Sequence, residues 1–270
     1  MDITLTFLKT SNIIFFHLIK EFAALDLSFA HPPWTGSGKR LESIIRKALF
    51  DFQMLNGVKK LGVALSGGKD SLTLLFMLKA ISGRGFFPFE LFAIHVNGEF
   101  SCGAGVNIEY LRSICEGLQI PFLIRESTQK LETLECYRCS RERRALIFEA
   151  AKSVGVDTIA FGHHRDDNTE TILMNLLHKA EFAGNQPKLT MHDYGVTIIR
   201  PLIYAAEEDI INFAKLQGFS RITCRCPVGQ VSMRSKVGKL LEEIELLFPH
   251  ARENIAQAGL VYGSDKATRK

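Results

Sequence analysis

Short apolar runs alternate with amphipathic stretches five times between Lys39 and Gly218. The runs lack the polar–apolar alternation of a half-exposed strand, which indicates strands buried on both faces. Such strands, when helices separate them, form a parallel sheet that the helices cover on both sides. We therefore predict an α/β protein with a doubly wound parallel sheet of about five strands. The predicted strands are 60–66, 90–97, 121–128, 157–162 and 195–202, and the predicted helices are 39–55, 70–81, 106–120, 139–155, 166–182 and 206–218.

Polar or glycine-rich segments follow three of the predicted strands. They are the turn 66–71, Asn97, and the Gly-His-His sequence at 162–164. In open α/β sheets, ligands bind beyond the carboxyl ends of the strands. One pocket is therefore expected to collect all three segments.

The turn 66–71 reads Ser-Gly-Gly-Lys-Asp-Ser and precedes a predicted helix. Its glycines let the backbone approach an anion, the helix start favours phosphate, and Lys69 adds a positive charge. The segment is not a Walker loop. Five residues rather than four separate Gly62 from the Gly-Lys pair, and Asp70 stands where Ser or Thr would hold Mg²⁺. A plain strand–helix turn needs fewer of these residues, so we predict a nucleotide phosphate site.

The segment Gly162–Thr171 places three acidic residues at the start of the next helix. Asp166 and Glu170 share a face, and Asp167 lies beside them. Acidic residues at this position are often mere partners of the helix dipole. Beside a phosphate loop, a Mg²⁺ role for at least one of them is expected. His163 and His164 are candidates for contact with phosphate or adenine, or are simply satisfied strand-end histidines.

The six cysteines fall into two pairs, Cys136-x-x-Cys139 and Cys224-x-Cys226, and two isolated residues. Nothing resembles a secretory signal, so we predict a cytoplasmic protein and favour metal ligation over disulfides. The pairs suit a four-cysteine zinc site, a redox dithiol, or a [4Fe–4S] cluster with three thiolates and one open iron. The residues alone leave these three open. Cys102 and Cys115 are expected to be structural.

Basic residues surround both cysteine pairs, and the formal net charge of +4 suits a polyanionic partner. If the pairs converge, the charges form a rim that could bind RNA phosphates. Single-stranded loop bases are the accessible RNA targets. Solvated helix faces are the alternative interpretation. The residues concerned are Arg138, Arg141, Arg143, Arg144, Arg221, Arg225, Arg234, Lys236 and Lys239.

Residues 1–38 are expected to form a helical extension and a linker. The segment is apolar, but charged residues such as Lys9, Lys20 and Asp26 interrupt it. It therefore falls short of the ~18 uninterrupted apolar residues that a membrane-spanning helix needs. We predict an amphipathic helix that packs on the domain or on a partner. A membrane-surface anchor is the alternative.

From about Lys39 to its C-terminus, the chain resembles the tRNA 2-thiocytidine synthetase family, the cytidine-32 tRNA-sulfurtransferases of the PP-loop ATP pyrophosphatase superfamily. The matching segments are LSGGKDSLTLL, CYRCSRERR, DTIAFGHHRDD, PKL, IIRPLIYAAEEDI and CRCPVGQ leading to RSKVGKLLEEIE. The resemblance implies a PP-loop, adenine nucleotide alpha hydrolase-like domain at 39–217 and a C-terminal helical segment at 218–270. The stretch Ala183–Gln186 departs from the family's more basic sequence, which weakens any inference of RNA contacts there.

The resemblance also implies an activity. Family members adenylate O2 of a cytidine with ATP, release pyrophosphate, and then replace the oxygen with sulfur held at the open iron of a [4Fe–4S] cluster. The expected cluster ligands are Cys136, Cys139 and Cys226. Cys224 remains an alternative because Pro227 and Val228 interrupt the family pattern. The expected partners are tRNA, a cysteine desulfurase persulfide as sulfur donor, and a second copy of the chain.

Residue pattern and resemblance together give the site. Lys69, Asp70 and Asp166 are predicted to be catalytic, and Asp70 and Asp167 to hold Mg²⁺. The predicted tRNA contacts are Arg141, Arg144, Arg234 and Lys236. The predicted ATP-binding residues are Ser66, Gly67, Gly68, Lys69, Asp70, Ser71, Gly162 and His163.

Two alternative functions remain from the sequence. The first is thiolation of another tRNA nucleotide such as a uridine, although the zinc-finger cysteines of some uridine-thiolating relatives do not flank this core. The second is a non-catalytic iron–sulfur or zinc RNA-binding protein that senses ATP. Lysidine synthetase shares the nucleotide loop but needs no Cys-x-x-Cys pair.

Overall fold

The structure is a computed structural model that describes Trp34 and residues 36–98, 106–129, 136–218 and 233–263. The predicted N-terminal helix and the predicted roles of Cys102, Cys224 and Cys226 lie outside the described residues. Within the described ranges, no helix combines the length and the apolar character needed to cross a bilayer.

In the part of the chain that the structure describes, six strands form one sheet in the order β3-β2-β1-β4-β6-β5. All neighbours are parallel except β5, which runs antiparallel to β6. The strands are β1 Lys60–Ala64, β2 Glu90–Asn97, β3 Phe122–Glu126, β4 Thr158–Ala160, β5 Lys188–Met191 and β6 Val196–Ile199. The five predicted strands are thus confirmed, and β5 is an addition. It pairs on one side only and is partly exposed, so its sequence lacks the apolar run of a central strand.

Eight helices are described in the same ranges. They are α1 Gly36–Asp51, α2 Lys69–Ile81, α3 Ile108–Gly117, α4 Cys136–Ser153, α5 Arg165–Lys179, α6 Glu207–Leu216, α7 Met233–Leu247 and α8 Ala251–Tyr262. The predicted fourth helix begins three residues earlier than expected, because α4 includes Cys136.

Two apolar layers bury the sheet, as predicted for a doubly wound fold. One layer packs α1, α2, α3 and α6 on the sheet and includes the buried Leu41, Leu74 and Phe213. The other layer packs α4 on the opposite face through Ile147 and Phe148.

The last two helices pack on α5 rather than on the sheet. The hydroxyl of Thr169 in α5 donates to the carbonyl of Arg252 in α8 at 3.0 Å. Gly259 of α8 lies directly against Ile172, which would have to shift to admit a larger side chain. The division at residue 217 stays a prediction, since 233–263 rests on a helix of the predicted first domain.

The strand order reverses between β1 and β4. From β1 the chain proceeds outward to β2 and β3, whereas β4 lies on the other side of β1 and leads to β6 and β5. At such a switch point the following helices leave in opposite directions and open a crevice at the carboxyl ends. The segments 66–71 and 162–164 both begin at this crevice.

Candidate active site

The turn after β1 is a tight loop closed by its own serines. Gly67 has φ +85°, a left-handed conformation that glycine adopts without strain. The hydroxyl of Ser71 donates to the carbonyl of Gly68 at 3.0 Å, and Ser66 Oγ lies 3.2 Å from Ser71 Oγ. The loop therefore leads directly into α2, which Gly68 precedes without a side-chain cap. An uncapped helix start is a ready site for an anion.

Two glycines let the polypeptide pack closely around this loop. A Cβ on Gly67 would come within 2.6 Å of Val106 Cγ1. A Cβ on Gly162, at the end of β4, would lie 3.2 Å from the backbone nitrogen of Ser71. Two of the three predicted ATP-binding glycines, Gly67 and Gly162, thus lie where a side chain would disturb the loop.

The Lys69 ammonium lies between two carboxylates. Its Nζ is 3.0 Å from Asp70 Oδ1 and 2.9 Å from Glu207 Oε1. Burial by itself lowers the pKa of Lys69, but the two carboxylates outweigh it and raise the pKa above its ordinary value. Lys69 therefore stays a cation at neutral pH, as phosphate binding requires.

His164 and Asp167 form a capping box at the start of α5. The ring of His164 accepts from the N–H of Asp167, and the carboxylate of Asp167 accepts from the N–H of His164. His164 Nε2 also lies 3.9 Å from Asp70 Oδ1 and 3.4 Å from Asp167 Oδ2. One imidazole thus brings together the carboxylates of two helices that start at the crevice.

Asp167 is an ionised acid at the crevice. Burial, the largest single influence, raises its pKa, but His164 and Arg234, together with the hydrogen bond from the His164 N–H, hold the pKa below its ordinary value. In the described residues, no three His, Cys, Asp or Glu side chains are arranged to hold a metal ion by themselves. Mg²⁺ usually takes one or two carboxylates together with substrate phosphates. Asp70 and Asp167 fit that role.

Asp166 does not line the crevice and bonds to the start of α6 instead. Its buried carboxylate accepts from the N–H of Glu207 at 2.6 Å and lies 3.6 Å from Arg165 Nη2. The bond caps the start of α6, where Ala206 supplies no side-chain cap. Its predicted catalytic role would therefore be exerted through α6.

His163 is a neutral side chain in the crevice. Burial is the main cause that lowers its pKa, to about 3, and Arg200 adds to the effect. Its ring stacks on Phe161 with centroids 5.9 Å apart. Its buried Nδ1 has no hydrogen-bond partner within the described part of the chain. The position suits a polar contact with a ligand, in line with the predicted ATP-binding role.

The crevice has a volume of about 160 Å³. Its walls combine apolar side chains from β2 and α4, and Phe161 just after β4, with the polar groups of the loop. An aromatic base with a polyphosphate would meet complementary groups there. The lining residues are Ala64, Leu65, Ser66, Asp70, Ser71, Ile94, Val96, Arg143, Ile147, Phe161, Gly162, His163 and Asp167.

Helix α4 connects the crevice with the Cys-x-x-Cys pair. Arg143 and Ile147 line the crevice, and Cys139 lies four residues before Arg143. Residues four apart share a face of a helix, and the rise between them is about 6 Å. The buried Cys139 therefore lies on the α4 face that borders the crevice. The helix also includes Cys136, one turn earlier.

The predicted RNA-binding residues have different environments. Arg141 and Lys236 are exposed, while Arg144 Nε donates to the Ser140 carbonyl at 3.2 Å. Arg234 pairs with two acids of α5, at 3.2 Å from Asp167 Oδ1 and 3.6 Å from Glu170 Oε2. Arg234 thus links α7 to the acidic start of α5.

Two residues at or near the crevice do not stand out in the sequence: Arg143, which lines it, and Glu207, which pairs with Lys69. For Arg143, the spacing of four residues from Cys139 on one helix is a signal of a shared face. Glu207 gave no signal, because its contact with Lys69 joins parts of the chain that only the fold brings together.

Comparison with known proteins agrees with these motifs. Residues 39–223 match the family model of the PP-loop domain. The tRNA-cytidine(32) 2-sulfurtransferase of Xanthomonas euvesicatoria pv. vesicatoria is 38% identical over 231 residues, which cover 82% of this chain and 74% of that protein. Its namesake from Bordetella avium is 34% identical over 229 residues, covering 82% and 72%.

Among solved structures, the U34-tRNA thiolase NcsA from Methanococcus maripaludis with its [4Fe-4S] cluster shares the fold. The TM-score is 0.65 at 24% identity, over 82% of this chain and 76% of that chain. Sequence identity and coverage with the curated relatives, together with the PP-loop match, establish the family. The chain belongs to the tRNA-cytidine(32) 2-sulfurtransferase family of PP-loop proteins.

Proposed function

We propose that the chain is an enzyme that thiolates tRNA, replacing O2 of the cytidine at position 32 of the anticodon loop with sulfur. The names of its relatives support this reaction. The structural observation that carries it is the face of α4, which leads from the nucleotide crevice through Arg143 to Cys139. ATP would be consumed to AMP and pyrophosphate, because an oxygen bound to carbon must be adenylated before sulfur can displace it.

The nucleotide half of the reaction would take place on the loop. Its amides and Lys69 would stabilise the charge that develops on the departing pyrophosphate. Asp70 and Asp167 would hold Mg²⁺. The apolar walls of the crevice and His163 would bind the adenosine part, and would position the reacting groups while excluding water.

The cysteines would supply the ligands of a [4Fe–4S] cluster. Cys136 and Cys139 are three positions apart in α4, a spacing that suits two of the three ligands of such a cluster. Cys226 would be the third and lies outside the described residues. When bound, the cluster supplies an open iron at which the sulfur to be transferred can be held.

The basic side chains would bind the tRNA backbone. Arg141, Arg144, Arg234 and Lys236 come from α4 and α7. A single-stranded anticodon loop can present a splayed base to a pocket, which a duplex cannot. We further propose a cysteine desulfurase persulfide as sulfur donor, a cytoplasmic location, and assembly as a homodimer.

Nucleoside analysis of tRNA from a deletion strain tests the proposal. We expect 2-thiocytidine to disappear, and to return when the wild-type chain is expressed from a plasmid. Expression of the Lys69→Ala variant is not expected to restore it. Loss of a thiouridine with 2-thiocytidine retained would overturn the choice of cytidine.

A further inference from the structure

Glu207 forms an ion pair with Lys69 from a distant part of the described chain. Its Oε1 lies 2.9 Å from Lys69 Nζ, as close as the neighbouring Asp70 Oδ1 at 3.0 Å. An ammonium group has three N–H donors. Two carboxylates therefore leave one donor of Lys69 for a phosphate oxygen and fix its direction.

The backbone of Glu207 is itself held in place. Glu207 is the first residue of α6, and its N–H donates to the buried carboxylate of Asp166 at 2.6 Å. In addition, the N–H of Arg165 donates to the Ala205 carbonyl at 2.9 Å. The start of α6 is thereby attached to the start of α5, which borders the crevice.

We propose that Glu207 is a positioning residue for Lys69 and that Asp166 acts by holding Glu207. This inference deepens the proposed function and rests on it. Glu207 makes two opposite contributions. As a hydrogen-bond acceptor it aims the ammonium at the leaving pyrophosphate, and as an anion it weakens the binding of a negatively charged triphosphate.

Two substitutions separate these contributions. Glu207→Gln keeps an acceptor oxygen and removes the charge, while Glu207→Ala removes both. Glu208→Ala is the matched control, because Glu208 is the next residue of the same helix turn and is exposed. It removes the same charge without touching Lys69.

The experiment uses the full chain with its cluster under anaerobic conditions. Calorimetry measures the affinity for Mg²⁺ and α,β-methylene-ATP, which cannot be cleaved between its first two phosphates. A pyrophosphate assay with tRNA gives kcat and KM. Because Glu207 is 47% exposed, its charge is partly screened. We expect both Glu207 variants to bind the analogue roughly two- to five-fold more tightly at low salt.

Turnover should then distinguish the two variants. Glu207→Ala is expected to lower kcat about 10- to 100-fold, since a misaimed catalytic group has effects of that size. Glu207→Gln should keep a kcat near the wild-type value, because it retains the acceptor oxygen. If substitution at this position merely damaged the fold, both variants would lose activity. Equal analogue affinities in all variants overturn the inference, as does a Glu207→Ala variant that matches Glu208→Ala in kcat. A wild-type chain that binds the analogue but never releases pyrophosphate with tRNA refutes the proposed function instead.

Discussion

At the scale of single residues, the crevice depends on a cation and on a backbone conformation. The ammonium of Lys69 carries the positive charge that a departing pyrophosphate needs, and two carboxylates keep it protonated. Gly67 gives the loop a positive φ beside Val106. Each feature can be removed by one substitution, and each removal has a control elsewhere in the chain.

Lys69→Ala should lower the rate of pyrophosphate release by about 100-fold or more, because the charge that develops on the leaving group loses its stabilising cation. The visible spectrum of the cluster should not change, since Lys69 lies on α2 and the cysteine pair on α4. Lys59→Ala is the control, as Lys59 is exposed and precedes β1 at the other end of the strand. Undiminished pyrophosphate release from the Lys69 variant would refute the assigned role.

Gly67→Ala should weaken nucleotide binding and lower the free energy of unfolding. A left-handed conformation costs an L-residue about 1–2 kcal/mol, and the new Cβ also meets Val106. Gly57→Ala separates these effects, because Gly57 has φ +75° but no atom near its Cβ position. In Gly57→Ala, denaturant unfolding should show the backbone cost alone. The affinity of this variant for α,β-methylene-ATP should equal that of the wild type. Wild-type analogue affinity in Gly67→Ala would show that the loop conformation does not matter.

At the scale of elements, the sequence predicts what is local. The strands β1, β2, β4 and β6 each have a neighbouring strand on both sides, and their apolar runs can be recognised from a single stretch of sequence. The edge strand β3 is only partly buried, but its apolar run Phe122, Leu123 and Ile124 can be recognised in the same way. The edge strand β5 is short and partly exposed, and its pairing with β6 depends on the turn at Gly195. The loop 66–71 was found for the same local reason, whereas the Lys69–Glu207 contact required the fold.

The anchoring of α7 on α5 gives a prediction at this scale. Arg234 donates to Asp167 and to Thr171 Oγ1, the latter at 3.1 Å. We expect Arg234→Ala to speed amide hydrogen exchange around the first turn of α7, at the N–H groups of residues 237–240 that donate to its carbonyls, since its link to α5 is lost. Lys236→Ala, an exposed change in the same turn, should leave exchange unaltered and weaken tRNA binding with a smaller salt dependence. Equal exchange in the two variants would mean that Arg234 does not anchor the helix.

At the scale of the whole molecule, the reversal of strand order explains why distant motifs share one site. β1 and β4 are neighbours in the sheet, so the turns that follow them meet at one crevice. Helix α4 lies on the face opposite α2 and brings its cysteine-bearing end to the same edge. The relative positions of these motifs follow from the order of the strands in the sheet. The apolar pattern of the sequence indicates the class of fold but not that order.

The cluster prediction belongs to the whole chain, because its proposed ligands come from two distant segments. After anaerobic purification, Cys136→Ser, Cys139→Ser and Cys226→Ser should each lose most of the iron. Cys224→Ser should retain it. Cys115→Ser is the control, since Cys115 is buried in α3 and burial raises its pKa to about 12. Iron loss in Cys224→Ser with retention in Cys226→Ser would assign the third ligand to Cys224, contrary to our choice.

The alignment of Cys139, Arg143 and Ile147 on one face of α4 also restricts where residues can be inserted or deleted during evolution. Every residue inserted into an α-helix swings what precedes it by about 100° around the axis. One extra amino acid between Cys139 and Arg143 would therefore turn the thiol toward a different side of α4. Surface loops can lengthen, but the number of residues between Cys139 and Arg143 must stay constant for the thiol to face the crevice.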